Sequence, residues 1–110
     1  MDCSIDATSK AVIVAVDGRV DEATWEAFGD CLTEAIAKAK AGSLRTLVIN
    51  LAELDYMSSR GLRVLTIAKR QAEEAGVAIT LAAPNEVMRE ILAISRYDKL
   101  FSITDTVEAA

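Results

Sequence analysis

The chain has 110 residues, of which 52% are hydrophobic and 26% charged, a composition typical of one soluble globular domain and not of a disordered segment. Its 12 basic and 17 acidic residues leave a net charge of -5, and the basic residues form no cluster, which argues against direct binding to nucleic-acid phosphates. Because histidine is absent, the chain cannot form Ser-His or Cys-His nucleophile pairs or histidine metal sites, and we expect neither an enzyme nor a metal centre.

The amino terminus carries no basic segment followed by a long apolar run, and the longest apolar run there, residues 11–16, is too short to span a bilayer. We therefore expect a cytoplasmic protein without membrane insertion. Cys3 and Cys31 are far apart in sequence and lack CxxC spacing, so we interpret them as two small buried hydrophobic side chains and expect no disulfide. No glycine-rich nucleotide motif occurs, so we expect no cofactor.

Two short segments open the chain as a predicted β-hairpin. Residues 3–8 alternate weakly between polar and apolar side chains, and residues 11–16 form a continuous apolar run rich in valine. Asp17 and Gly18 follow this run, and the pair predicts that the second strand ends there.

The next segment predicts a long helix over residues 21–41, with Asp21 as its N-cap and Gly42 as its stop. Its apolar positions recur at helical spacing, which indicates core packing, and we prefer this interpretation of its two aromatic residues to a ligand-binding aromatic box. The stripe consists of Trp25, Phe28, Leu32, Ala35 or Ile36, and Ala39.

The middle of the chain predicts a buried strand over residues 44–51, because this run is short, apolar and rich in β-branched residues. Beyond Ser58 and Ser59 the apolar residues change to helical spacing, and Ala75–Gly76 marks the end of that helix. The two serines therefore follow a strand and open a helix, a place where open α/β folds expose functional groups.

The last third predicts a strand over residues 77–82, a helix that starts at Pro84 and a short edge strand over residues 100–103, followed by a final helical turn over 105–110. In the helix, Val87, Ile91 and Ile94 have the spacing of a core stripe. The order β-β-α-β-α-β-α-β(-α) predicts an α/β domain with a mixed, mostly parallel sheet of about five strands and three to four helices.

Chemistry alone gives the two serines two roles. Either Ser58 or Ser59 can cap the helix by accepting a hydrogen bond from a free backbone N–H, which is worth about 1 kcal/mol. A helix amino terminus also favours negative charge, so a phosphate on one of these serines would be tolerated without unfolding the helix.

Four segments together resemble a STAS domain of the bacterial anti-sigma-factor antagonist type. They are residues 17–21 (DGRVD), 47–51 (LVINL), 56–65 (YMSSRGLRVL) and 83–88 (APNEVM). The resemblance extends from about residue 4 to residue 103, including YDKLF at 97–101, so we expect a single STAS domain over residues 1–110.

The resemblance implies a function in partner switching. Such an antagonist binds an anti-sigma factor that is a serine kinase, is phosphorylated and released by it, and is restored by a serine phosphatase, which regulates sigma-factor-dependent transcription. The motif implies Ser59, two places before Gly61, as the phosphoacceptor, with Ser58 as the second choice. The partner-binding residues that the resemblance implies are Asp21, Tyr56, Met57, Ser58, Arg60, Gly61 and Arg63.

Two residues depart from the family pattern. Ser58 replaces a frequent aspartate, and Arg60 stands where a small residue is usual. The alternative function is therefore a non-switching STAS interaction module, such as a soluble subunit of a lipid-transport ATPase complex or of a stress-signalling assembly. An enzyme with Ser59 as nucleophile would need a lysine as its base. No long heptad pattern indicates a coiled-coil dimer, and the sequence leaves the oligomeric state open.

Overall fold

The computed structural model describes residues Met1–Ala110 as an α/β domain, in agreement with the predicted class. Each predicted strand and each of the three predicted helices is present, but the final helical turn is not. The sheet has six strands because the segment before the two serines forms a strand of its own. The strands are β1 (Asp2–Ala7), β2 (Val12–Val20), β3 (Thr46–Asn50), β4 (Leu54–Met57), β5 (Ala78–Ala82) and β6 (Ser102–Thr104), and the helices are α1 (Trp25–Ala41), α2 (Ser59–Glu74) and α3 (Glu86–Ile94).

The sheet is mixed and mostly parallel, in the order β1-β2-β3-β5-β6. The predicted hairpin is confirmed, because β1 pairs antiparallel with β2. All other pairings are parallel. The first half of β2 pairs with β3, whereas its last residues pair with β4, so one long strand joins the main sheet to the short strand that leads into α2.

The second strand does not end at Asp17 and Gly18, as predicted, but continues to Val20. Gly18 has a φ of 97°, a left-handed value that glycine adopts without strain, and the pairing register with β4 shifts between Gly18 and Arg19. Gly18 therefore stands inside the strand opposite a bulge whose extra residue, Asp55, belongs to β4. The prediction was wrong because a bulge and a turn use the same residue, and only the pairing with β4 distinguishes them.

The core lies on one face of the sheet, against all three helices. Side chains alternate along β2, so Val12 and Val14 are fully buried on this face. They share one cluster of buried side chains with Phe28 of α1, Leu65 of α2 and Met88 of α3. The three helices therefore hold the strand ends, and the turn between β4 and α2, in fixed positions.

The third helix packs with a different side from the one predicted. Val87 and Ile94, which have core spacing together with Ile91, are 50% and 82% exposed. Met88 and Leu92 are the buried residues of this helix. A helix of nine residues with apolar side chains on more than one side has no unique core face in its sequence, and its packing against β4 selects the side that is buried.

Cys3 and Cys31 form a disulfide, contrary to the expectation of two free buried side chains. Cys3 lies on the edge strand β1 and Cys31 on α1, and their Cα atoms are 6.6 Å apart although the residues are separated by 28 positions. The two elements pack against each other in the fold. The sequence spacing held no signal for this pair because the pairing depends on tertiary packing.

The ends of the helices follow the predicted signals more closely than their starts, and α3 begins at Glu86, with Asn85 as its N-cap, and not at Pro84. Helix α1 ends before Gly42 and α2 before Ala75, as predicted. Helix α1 begins at Trp25, with Thr24 in the N-cap position, and not directly after Asp21, because residues 21–24 form a turn first. Residues 105–110 form bends and turns where a helical turn was predicted. None of the helices is both long enough and apolar enough to cross a membrane.

Candidate functional site

The turn between β4 and α2 lies where two parallel strands end side by side. Val20 at the end of β2 pairs with Met57 at the end of β4. The backbone N–H of Ser58 donates a hydrogen bond to the Val20 carbonyl at 2.8 Å, so the pairing continues one residue into the turn. Helix α2 starts at the next residue, Ser59. The sheet edge thus fixes the position of both serines.

The two serines have different surroundings. Ser58 is the N-cap of α2, and its Oγ accepts a hydrogen bond from the backbone N–H of Gly61 at 3.3 Å. Its backbone is extended, with φ of -75° and ψ of 172°, as is usual for a cap. Ser59 is the first residue of α2, is exposed, and its hydroxyl has no hydrogen-bond partner in the protein. Capping therefore occupies Ser58 and leaves the Ser59 hydroxyl free.

Gly61 is buried, and the start of α2 can approach the sheet closely because this residue has no side chain. A Cβ atom at this position would lie 2.5 Å from Met57 Cγ and 2.7 Å from Val20 Cγ1, which is too close for any side chain. Met57 itself is only 2% exposed. Met57 and Gly61, which the resemblance places among the partner-binding residues, both lie beneath the turn and support it.

Asp21 follows Val20 and lies beside the serine turn, at the end of the neighbouring strand. Its Oδ1 accepts hydrogen bonds from the backbone N–H of Ala23 at 3.0 Å and from Thr24 Oγ1 at 3.1 Å. Oδ2 lies 3.8 Å from Arg19 Nε. Asp21 thus orders the turn before α1.

Arg60 connects the starts of the two long helices. Its guanidinium lies 5.0 Å from the centre of the Trp25 ring, and its Nε is 3.6 Å from Glu22 Oε2. Trp25 is only half-buried, because it packs against the edge of the core and lies beneath Arg60. The interpretation of Trp25 as a core residue therefore holds for only part of its ring.

Tyr56 and Arg63 are the remaining residues that the sequence predicts at this site. The half-buried ring of Tyr56 lies under Arg19, whose guanidinium is 4.7 Å from the ring centre. Arg63 is exposed one turn further along α2. The structure therefore brings Ser59, Arg60 and Arg63 onto one surface, with Tyr56 at the end of the adjoining strand.

Sequence reasoning missed three residues of this site. Arg19 covers Tyr56, and Glu22 pairs with Arg60. Asn85 caps α3 through Oδ1 and donates from Nδ2 to the Leu54 carbonyl at 2.7 Å, which fixes the start of β4. An Asn after proline and before a glutamate is a recognisable cap, but its bond to β4 has no sequence signal.

A family model described as STAS domain matches residues 3–110. The protein BtrV of Bordetella bronchiseptica, described as a candidate anti-sigma factor antagonist, is 28% identical over 110 residues, which are 100% of this chain and 91% of BtrV.

The fold is similar to solved structures over nearly the whole chain. A candidate anti-sigma factor antagonist from Thermotoga maritima has a TM-score of 0.83 and 17% identity, and the match covers 97% of this chain and 89% of that protein. The phosphorylated form of the Bacillus cell fate determinant SpoIIAA has a TM-score of 0.70 and 21% identity over 98% of this chain and 95% of that protein. Because the identities are only 17% and 21%, the similarity to these two structures establishes the fold of this chain and nothing more.

Proposed function

This chain belongs to the STAS-domain family, and from that premise we propose that it is an anti-sigma-factor antagonist whose binding to an anti-sigma serine kinase is switched off by phosphorylation of Ser59. A serine phosphatase would restore the binding form. The protein itself acts as a cytoplasmic regulator without enzymatic activity of its own, and it controls transcription through proteins and not by contact with DNA. The description of BtrV as a candidate antagonist supports the role.

The observation that carries the proposal is the different engagement of the two adjacent serines. The Ser58 hydroxyl accepts the capping hydrogen bond from Gly61 at 3.3 Å, so its modification would remove a helix cap. Ser59 is exposed, and its hydroxyl makes no bond within the protein. A kinase can therefore reach Ser59 and modify it without breaking any interaction of the fold.

The position of Ser59 also suits a phosphate. It is the first residue of α2, where the free backbone N–H groups and the helix dipole favour negative charge. No acidic side chain occupies the first turn of α2. A phosphate would add about -1.5 to -2 charges to this surface at neutral pH. The phosphorylated protein is therefore expected to keep its fold.

The same charge would disrupt a complex. Two like unit charges about 4 Å apart near a protein surface repel each other by roughly 4 kcal/mol. That corresponds to a loss of affinity of about a thousandfold. A partner that presents an acidic group or a nucleotide phosphate to this turn would therefore be released.

The partner-binding surface that we propose consists of Ser59, Arg60 and Arg63 on α2, with Tyr56 and Asp21 at the adjoining strand ends. The side chain of Arg60 is 55% exposed and is oriented by Trp25 and Glu22. Ser58 contributes to this surface through its backbone and by capping α2. Met57 and Gly61 are left out because they are buried.

The proposal is tested with the cognate anti-sigma serine kinase. We expect the purified chain to form a complex with the kinase by size-exclusion chromatography, and ATP to dissociate the complex as one phosphoryl group is added. Ser59→Ala should bind and resist dissociation by ATP, and Ser59→Asp should bind weakly. A complex that forms, gains no phosphate and persists with ATP would contradict the switch and favour the non-switching interaction module.

A further inference from the structure

A shallow depression of about 590 Å³ lies along the outer face of α2, and Ser59 stands at one end of it. Three arginines, Arg60, Arg63 and Arg70, line this depression, and no acidic side chain does. The protein as a whole has a net charge of -5, so this is a basic surface on an acidic protein. Such a surface attracts anions.

The three arginines differ in their partners. Arg60 is already engaged, with its Nε 3.6 Å from Glu22 Oε2 and its guanidinium over Trp25. Arg63 and Arg70 are exposed and form neither an ion pair nor a side-chain hydrogen bond. The depression therefore holds two uncommitted guanidinium groups.

Helical spacing distinguishes these two arginines from each other. Arg63 follows Ser59 by four residues, a rise of about 6 Å, which puts both side chains on one face of the helix. An acidic group that precedes a basic one at this spacing is the favourable order. Arg70 lies about 16 Å further than Ser59 along the helix axis and is out of reach of a group on Ser59.

We propose that Arg63 is the intramolecular receptor for a phosphoryl group on Ser59. Its planar guanidinium can donate two parallel hydrogen bonds to phosphate oxygens, which is the preferred geometry for this pair. Arg60, although adjacent in sequence, stays with Glu22 and Trp25. This inference rests on the proposed phosphorylation of Ser59, and it adds a second consequence of that event: the phosphate withdraws Arg63 from the partner-binding surface while it adds negative charge.

The test uses phosphoserine placed at position 59 by genetic code expansion, so that no kinase is needed. The phosphate pKa is measured by ³¹P NMR in the otherwise unchanged protein and in the Arg60→Gln, Arg63→Gln and Arg70→Gln variants. A nearby guanidinium favours the dianion and lowers this pKa, so we expect Arg63→Gln to raise it by about half a unit, the size of a screened surface pair. Arg70→Gln removes the same charge from the same face and should raise the phosphate pKa by less than about 0.2 unit.

A second measurement reports on Arg63 itself. The Nε–Hε resonance of Arg63 should move downfield when Ser59 carries the phosphate, and the corresponding resonance of Arg60 should move less. Equal pKa changes in the Arg63→Gln and Arg70→Gln variants would overturn the proposal, because only the general field of the surface would then be acting. A larger change in Arg60→Gln than in Arg63→Gln would overturn it as well and would identify Arg60 as the receptor.

The outcome is separate from that of the proposed function. If the kinase modifies Ser59 but the Arg63→Gln variant shows no pKa change, the capture by Arg63 is wrong and the switch stands. If the pKa change is found and no kinase modifies Ser59, the arginine is a competent receptor and the proposed switch is wrong. Thermal melts of the variants check that each one is folded, which is expected because Arg63 and Arg70 are exposed.

Discussion

The serine turn has a buried underside and an exposed outer side, and we expect substitutions on the two sides to have different effects. The underside consists of Val20, Met57 and Gly61, which are buried at the end of the paired strands. The outer side consists of Ser59 and Arg63, both exposed and without a side-chain partner. Packing determines the underside residue by residue, whereas the outer side can change its chemistry without changing the fold. Substitutions on the underside should therefore lower stability, whereas substitutions on the outer side should change partner binding.

The largest expected effect comes from a bond that belongs to neither side. Reduction of the Cys3–Cys31 disulfide, or the Cys3→Ser/Cys31→Ser double variant, should lower the free energy of unfolding by about 3 kcal/mol, because the unfolded chain gains freedom. Urea denaturation with and without reductant measures this. Partner affinity of the reduced, folded protein should stay the same. An equal unfolding midpoint with and without reductant in the wild type would contradict the disulfide.

On the underside, Gly61→Ala should cost about 2 kcal/mol of stability, because the new Cβ would lie 2.5 Å from Met57 Cγ and 2.7 Å from Val20 Cγ1. Gly29→Ala on α1 is the matched control. A Cβ there would meet Val64 at 3.7 Å, an ordinary contact, so this change should be neutral or stabilising. If both glycine variants unfold at the urea concentration of the wild type, the close packing beneath the turn is not required.

The two serines provide the most direct comparison of the sides. Ser58→Ala removes the capping hydrogen bond to Gly61 and should lower the free energy of unfolding by about 1 kcal/mol. Ser59→Ala removes no hydrogen bond and should change this free energy by less than about 0.5 kcal/mol. Chemical denaturation of the two variants and the wild type measures both differences in the free energy of unfolding. The reverse order would mean that Ser59 is the structural serine.

A smaller loss of stability than that of the Ser58 cap is expected at Arg60. Arg60→Gln should lower the free energy of unfolding by about 0.5 kcal/mol, because the contact with Trp25 and the ion pair with Glu22 are both exposed to solvent. High salt should reduce the difference between the two proteins. Trp25 fluorescence should also change in the variant, since a cation would no longer lie over the ring. An unchanged emission spectrum would argue against the stacking.

The sequence was sufficient to predict the class of the fold, the hairpin and the start of α2, because these depend on local patterns. The strand β4 and the extension of β2 were not predicted, since a four-residue strand is recognised only by its partner. The buried side of α3 and the Cys3–Cys31 bond were missed for the same reason. Where the local sequence is compatible with more than one structure, long-range contacts determine which structure forms.

For the site, the sequence predicted that the two serines follow a strand and open a helix, as they do between β4 and α2, but it did not distinguish buried from exposed residues within that turn. Met57 and Gly61 were predicted as partner-binding residues, and both are buried beneath the turn. Arg19, Glu22 and Asn85, which are distant in sequence from the motif, contact Tyr56, Arg60 and the Leu54 carbonyl respectively. A motif records which residues are near one another along the chain and says little about which way each one faces.

The central claim, that Ser59 is the switch and Ser58 the cap, is tested most directly by intact-mass analysis after incubation with the cognate kinase and ATP. The wild type and Ser58→Ala should each gain one phosphoryl group, and Ser59→Ala should gain none. Peptide mapping of the wild type should find the phosphate on Ser59. A phosphate on Ser58, or on Ser59→Ala to the same extent as on the wild type, would contradict the account.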